Sequence, residues 1–256
     1  MMNLNISNNL TTEAAGVKHY TLFDTEMWDL FFKPGEVVEM RILGAFGKNR
    51  AWAGFAKGTV SGYFDNHNDF CKCLKMVDQA ECHGVYNTIQ TIDPRLIGRA
   101  LNRLKAADKT TADNNVISYR WVLVDLDANR PSGISSSDSE LRHAMLMREE
   151  VAAWVVSNMG LSPAKGMSGN GGHILFRLPD IPANKDSEAY IQKTLQGLHK
   201  RFSDDQVSID TSVFNPARIW KTYGSTARKG DQVPGNQYRD SRPHRMAFID
   251  DLGEVV

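Results

Sequence analysis

Arg120 to Gly133, RWVLVDLDANRPSG, is the stretch from which the rest of the chain is read. Trp121, Val122, Leu123 and Val124 form an apolar, largely β-branched run, which predicts a strand buried on both faces. Asp125 and Asp127 stand where that run ends. Positions two apart on a strand point to the same side, so both carboxylates face one way at its tip. Two like charges held that close repel unless something neutralises them, and a divalent cation bound by carboxylate oxygens does so. A plain loop after a strand also accommodates Asp-x-Asp, and the tripeptide alone leaves both readings open.

The chain has 256 residues, enough for one large domain or two small ones with a sizeable core. Formal net charge is zero, so no global basic field advertises nucleic acid, and any such site must come from local clusters. No apolar run is long enough to span a bilayer, so no membrane partner is expected. The N-terminus, MMNLNISNNLTTEAAG, lacks the basic start and apolar centre of a signal peptide. Three cysteines, an odd number, argue for a reducing, cytoplasmic setting rather than a disulfide scaffold.

Outward from the central strand, the first twenty residues suggest at most one short helix. Glu36 to Leu43 alternates as a strand, and Ala51 to Phe64 reads as one or two strands broken by glycine. A helix is predicted over Asp69 to Ala80 and a strand over Val85 to Thr91. Asp93-Pro94 then caps a helix whose buried face is Leu96, Ile97, Ala100, Leu101 and Leu104, with Arg95, Arg99, Arg103 and Lys105 outside. Lys109 to Asn115 is a polar connection. Beyond the central strand, Ser137 and Glu140 form a capping box for a helix to about Met159, stopped by Gly160. Its apolar stripe is Leu141, Ala144, Val151, Trp154 and Val155. Pro163 to Gly172 reads as a glycine-rich turn, His173 to Leu178 as a strand and Ser187 to Phe202 as a helix. Gln206 to Phe214, Ile219 to Tyr223 and Arg245 to Ile249 read as further strands. This irregular alternation predicts a mixed α and β sheet protein, with a soft boundary near residues 107–116.

Two further stretches carry chemistry. Ser168 to His173, SGNGGH, has three glycines that let backbone approach a ligand, and successive N–H groups that form an anion nest. A glycine-rich hairpin with an incidental histidine fits the same letters. No Gly-Lys-Ser/Thr follows, so this is not a Walker A loop. From Gln206 to Gly230, QVSIDTSVFNPARIWKTYGSTARKG, Val207 and Ile209 alternate into Asp210. Arg218, Lys221, Arg228 and Lys229 follow with few acids among them. They suit phosphate, or form a solvated charged face.

Taken in order, VDLD at 124–127, SGNGGH at 168–173 and SID at 208–210 with its basic tail resemble the archaeo-eukaryotic primase superfamily, the primase-polymerase group. GYFDN at 62–66, VYNTIQTIDPRLIGRALNRL at 85–104 and RPSGISSSDSE at 130–140 resemble prim-pol domains of phage and plasmid replication proteins. The resemblance spans about residues 15–250. It implies an α+β fold in which an RNA-recognition-motif-like sheet (about 116–250) carries the site, beside an N-terminal α/β subdomain (about 15–110) and flanking helices. It implies template-dependent synthesis by a primase or DNA polymerase on single-stranded DNA, with a primer strand and (d)NTPs as partners. Asp125, Asp127 and Asp210 would hold two Mg2+ or Mn2+ ions. His173, with Ser168 and Gly171, would meet the nucleotide's triphosphate. Arg218, Lys221 and Lys229 match the basic positions, and Asn102 and Arg103 lie in a matching NRL. No helicase or zinc module is recognisable, so a helicase or accessory part is expected to be absent or encoded elsewhere, which leaves extension better supported than primer initiation. Arg242, His244 and Arg245 either extend the basic surface or are simply solvated, and the resemblance, which reaches RPHR, favours the former.

Cys71, Cys73 and Cys82, with His67 and His83 nearby, raise the question of structural zinc. The C-x-C spacing on a helix points its sulfurs apart, which disfavours it. A non-catalytic replication initiator or nucleic-acid-binding module on the same sheet is the alternative function. An Asp-x-Asp phosphatase wants Thr after the pair, whereas Ala128 and Asn129 follow. A polymerase-β-type nucleotidyltransferase wants Gly-Ser before it, and none occurs.

Overall fold

A computed structural model describes residues 18–77 and 82–254. The short helix considered for the first twenty residues falls almost wholly outside them. The described chain begins with α1 (Thr25–Phe31), which buries Met27, Trp28 and Phe31. TEMWDLF is too short to display a period, and so it was not legible as a helix. A long hairpin of β1 (Val38–Asn49) and β2 (Gly54–Phe64) leads to α2 (His67–Val77), β3 (Gly84–Thr88) and β4 (Thr91–Ile92). A 3-10 turn (Pro94–Arg99) precedes β5 (Lys105–Ala106) and the central strand β6 (Val116–Ala128). Then come α3 (Asp138–Met159), β7 (Ala164–Met167), β8 (Gly171–Pro182), α4 (Lys185–Phe202) and β9 (Val207–Ile209). The chain closes with β10 (Ile219–Lys221), β11 (Thr226–Ala227), β12 (Arg245–Met246) and β13 (Phe248–Asp251).

The fold is mixed α+β, built on antiparallel sheets. One sheet runs β10-β3-β1-β2-β5. β11 and β12 form a separate two-stranded sheet, and the second large sheet runs β13-β7-β8-β6-β4, with β9 pairing the far end of β6. Within it, β6-α3-β7-β8-α4-β9 is a βαββαβ unit whose strands lie in the order β9-β6-β8-β7. Both helices pack on one face. Val122, Val124, Leu126 and Ala128 of β6 join Ala144, Val151 and Val155 of α3 and Ile191, Leu195 and Leu198 of α4 in one core. The opposite pleat of β6, Trp121 and Leu123, enters a second core with Met40, Ile42, Val60 and Val85 of the other sheet. That core draws on residues from both sides of the 107–116 connection. β10 also returns from the second half of the chain to pair with β3 in the first.

The capping box appears as expected: Ser137 Oγ accepts from the Glu140 N–H, and Glu140 accepts from the Ser137 N–H. Gly160 ends α3 in the left-handed conformation, at φ 65°. Four expectations are corrected. The helix after Asp93-Pro94 is only a 3-10 turn. Tyr63 in β2 takes the backbone groups that a longer helix would use, its N–H donating to Ala100 and its carbonyl accepting from Asn102. Leu101 is consequently 59% exposed instead of buried. Pro163 to Gly172 is not all turn, because β7 forms between β8 and β13. The strand expected from Gln206 to Phe214 is only Val207–Ile209, which pairs antiparallel with the last three residues of β6, Leu126 to Ala128. The helix expected over Asp69 to Ala80 starts at His67 and is described to Val77.

Arg120 ties β6 and β8 to the end of α1 and the connection that leads from it into β1. Its side chain is 3% exposed and donates to Glu36 (2.5 and 2.6 Å), Asp180 (3.1 Å) and the Phe31 carbonyl. Burial pushes Glu36 up, but the Arg120 guanidinium and the Lys33 N–H outweigh it and hold the carboxyl below its usual value. Arg120 likewise holds Asp180 down, with help from Lys33 and Arg177. Carboxylates depressed in the fold contribute stability that is complete above their unfolded range near pH ~4 and is lost as pH falls through the folded values. Arg120→Ala should lower unfolding stability by roughly 2–3 kcal/mol, since both acids retain some water contact. It should also flatten the acid limb of urea midpoints measured between pH 3 and 7. An unchanged midpoint and acid limb would mean that this cluster holds nothing together.

Candidate active site

The pleat of the sheet assembles the site. Trp121 and Leu123 face the inter-sheet core, so Asp125 and Asp127 continue on that face where the core ends. On β8, His173 lies directly opposite Asp125, and Gly171 opposite Asp127. On β9, Val207 and Ile209 face the helices, so Ser208 and the following Asp210 face the other way. Ser208 pairs with Asp127, and the Asp210 N–H donates to the Asp125 carbonyl at 2.9 Å. The three carboxylates and the histidine predicted from sequence therefore share one face of one sheet.

Asp125 sits under strain of charge. Its side chain is 23% exposed, yet Oδ1 is buried with no hydrogen-bond partner. Burial, then the charges of Asp127 and Asp210, raise its pKa well above the carboxylate range, against the pull of Arg130 and Lys229. Among the described residues no three His, Cys, Asp or Glu side chains, as oriented here, stand close enough together to hold a metal ion. Asp210 Oδ1 instead accepts from the Ser212 N–H at 2.7 Å, and Asp127 Oδ1 lies 3.5 Å from Arg130. The donor set nevertheless suits a hard divalent cation: carboxylate oxygens from adjacent strands, one of them buried and unpartnered.

His173 is 2% exposed and packs against Trp220 of β10, ring centres 4.0 Å apart and planes tilted by 35°. Burial, and then the charges of Arg148 and Lys221, lower its pKa to about 3, so the ring is neutral near pH 7. Its Nε2 lies 3.6 Å from Asp125 Oδ1, too long for a hydrogen bond and, with the ring neutral, not an ion pair. Its Nδ1 is 2.8 Å from the Tyr223 hydroxyl, which accepts the Trp220 indole N–H at 2.8 Å. Burial raises the Tyr223 pKa well above its usual value, so the phenol keeps its proton. Having accepted from Trp220, Tyr223 has that proton to give to Nδ1. The imidazole proton is then on Nε2, where it faces the carboxylate instead of opposing it with a lone pair.

The glycine stretch differs from the open cradle expected. Residues 168–171 form the turn between β7 and β8. Ser168 Oγ accepts from the N–H groups of Asn170 (3.3 Å) and Gly171 (2.9 Å), and the Gly169 N–H points to Met167 Sδ. The turn thus consumes its own donors. Gly171 is needed for close approach, since a Cβ there would lie 2.2 Å from the Leu126 carbonyl oxygen.

The basic residues surround the acids unevenly. Arg218 donates to the Ser212 carbonyl at 2.6 Å, while its Nε is buried without a partner. Lys221 is buried, donates to the Thr226 carbonyl at 3.0 Å and lies over the Tyr86 ring. Lys229 is exposed. Arg242 and Arg245 are bound to Glu140 and Asp138 of α3. Asn102 and Arg103 are not part of this cluster. They lie past β2, toward the edge of the other sheet opposite β10, where Asn102 bonds Asp65. Sequence reading missed Tyr223 and Trp220, which orient His173, and Arg148, which donates to Gly166 and Asp250 behind it. An arginine between Ala144 and Val151 in the apolar stripe of α3 was the available signal for the last.

The cysteines are free thiols. Cys71 Sγ lies 3.1 Å from His67 Nε2 and donates to the Leu22 carbonyl at 3.3 Å, while Cys73 and Cys82 are buried. Burial, then Asp24, pushes Cys71 up to about 11; burial, then Asp69, does the same for Cys73. No helix among the described residues is long and apolar enough to cross a membrane.

No protein-family model matches the sequence, and no curated protein does. Among solved structures, the chain is loosely similar to the polymerase domain of Mycobacterium tuberculosis ligase D in complex with DNA. The TM-score is 0.44 and the identity 13%, over 88% of this chain and 78% of that one. At that distance the chemistry has to be read from this chain's own side chains.

Two outcomes follow from the site's electrostatics. His173 should stay neutral from pH 5 to 8 in nitrogen-detected NMR; a titration near 6.5 would contradict its burial. Asp125→Asn should raise the melting temperature in EDTA by relieving like-charge repulsion, as substitutions at strained functional sites often do. A lowered melting temperature would show that the ionised carboxylate stabilises the fold.

Proposed function

We propose that this chain is a template-dependent nucleotidyltransferase, a DNA primase or polymerase that adds (d)NTPs to a primer or begins one on single-stranded DNA. The observation that carries the reading is the placement of Asp125, Asp127 and Asp210 on one sheet face beside a neutral, oriented His173. On this reading the βαββαβ unit is the RNA-recognition-motif-like catalytic sheet of a primase-polymerase.

Asp125, Asp127 and Asp210 would hold two Mg2+ or Mn2+ ions, which when bound lower the pKa of an attacking 3′-hydroxyl and stabilise the leaving pyrophosphate oxygens. The chain's own residues do the rest. The Nε2–H of His173 donates to a phosphate oxygen, and because the ring stays neutral it acts as a fixed donor rather than a proton source. Tyr223 and Trp220 fix that donor's direction, so little reorganisation is needed when the triphosphate arrives. Arg218 has an unpartnered Nε and Lys229 is exposed, so both suit the phosphate charge. Ser168 and Gly171 shape the edge of the site by closing the β7–β8 turn.

Asp125→Ala with Asp127→Ala should abolish incorporation in primer-extension gels while circular dichroism stays that of the wild type. His173→Ala should weaken nucleotide binding more than DNA binding. A wild-type protein that binds DNA but incorporates no nucleotide with Mg2+ or Mn2+ would instead be the non-catalytic binding module.

A further inference from the structure

The tip of the β1–β2 hairpin carries a pattern that the site does not use. Its strand register pairs Phe46 with Lys57 and Lys48 with Phe55. Residues 46 and 48 share a side of β1, and 55 and 57 share a side of β2. The four therefore form a checkerboard on one face, aromatic and cation alternating along each strand and across it, with the two phenylalanines on one diagonal and the two lysines on the other. The pattern of burial agrees: Ala45 and Ala56 are buried on the other face with Trp52, whereas 46, 48, 55 and 57 are exposed. Phe46 is 62% exposed and Phe55 60%, their rings edge to face with centres 5.8 Å apart.

The charge is as selective as the aromatics. Residues 44–58, GAFGKNRAWAGFAKG, contain Lys48, Arg50 and Lys57 and no acid, in a chain whose net charge is zero. Folding leaves both phenylalanines in water although the hairpin has a buried face to offer them, at a cost in apolar exposure. We propose that this tip binds single-stranded nucleic acid, with unpaired bases stacked on Phe46 and Phe55 and phosphates on Lys48, Arg50 and Lys57. Aromatic platforms interleaved with cations suit unpaired strands, because every base has a π-face and every linkage a charge. A protein interface would favour arginine over lysine among its aromatics, and a second copy of the tip would bring like charges together. The strand register adds direction. β10 runs toward the end of its sheet from which the hairpin projects, and it delivers Trp220 and then Tyr223 to His173. A strand held on the tip would lie off that end of the sheet.

The test is fluorescence anisotropy of a labelled oligothymidylate with the full chain, in EDTA and without nucleotide. It does not depend on the carboxylates, so its outcome and that of the incorporation assay stand apart. Phe46→Ala with Phe55→Ala should weaken binding on the order of tenfold, with an unchanged melting temperature, since both side chains are exposed. Lys48→Ala with Lys57→Ala should reduce the slope of log affinity against log salt by about 1.4, two phosphates at ~0.7 each. An unchanged affinity in the phenylalanine variant would overturn the proposal. So would a loss that is equal for duplex and single strand, or one confined to self-association in sedimentation.

Discussion

Like charges brought together at the edge of a dry core are the constraint around which this molecule is arranged. β6 alternates between two cores, and where the inter-sheet core ends its next two inward positions are aspartates. β9 then adds a third acid from the neighbouring strand. Arg130 and Lys229 offset the charge on Asp125 only in part: its buried oxygen has no donor among the described residues, and the imidazole beside it is neutral and 3.6 Å away. Such an arrangement is costly for the protein alone and favourable once positive charge arrives.

The surrounding structure keeps that arrangement from relaxing. Arg120 fixes the entry of β6 with two acids from separate parts of the chain, and Arg148 anchors the back of the sheet to Asp250. Trp220 and Tyr223 bring the other sheet's edge onto His173 and set its tautomer. Because β10 pairs with β3 while its side chains reach β8, the two sheets cannot slide apart without undoing the site. The site is thus a product of both halves of the chain, although its acids come from one.

Much of this was written in the sequence where local rules are strong. The Asp125/Asp127 strand, the Ser137 capping box, the Gly160 stop and the strand before Asp210 follow from alternation and end chemistry. What was not legible depended on distant partners. Residues 100–104 carry helical periodicity, but Tyr63 takes their backbone groups, and no local pattern reports that. SGNGGH suits an anion nest or a hairpin equally, and only the position of the Ser168 hydroxyl shows its N–H groups already engaged. Tyr223 is one aromatic among many until the fold brings it to His173. The Phe46–Phe55 checkerboard needs the register of a hairpin, which a sequence with several glycines does not specify.

Manganese uptake measures the central claim most directly, read as loss of the free-ion electron paramagnetic resonance signal on adding protein. The wild type should take up the ion, and Asp125→Asn, Asp127→Asn and Asp210→Asn should each weaken uptake, because acids from two strands serve one place. Uptake that is absent in the wild type, or indifferent to Asp210, would show that these carboxylates do not act together.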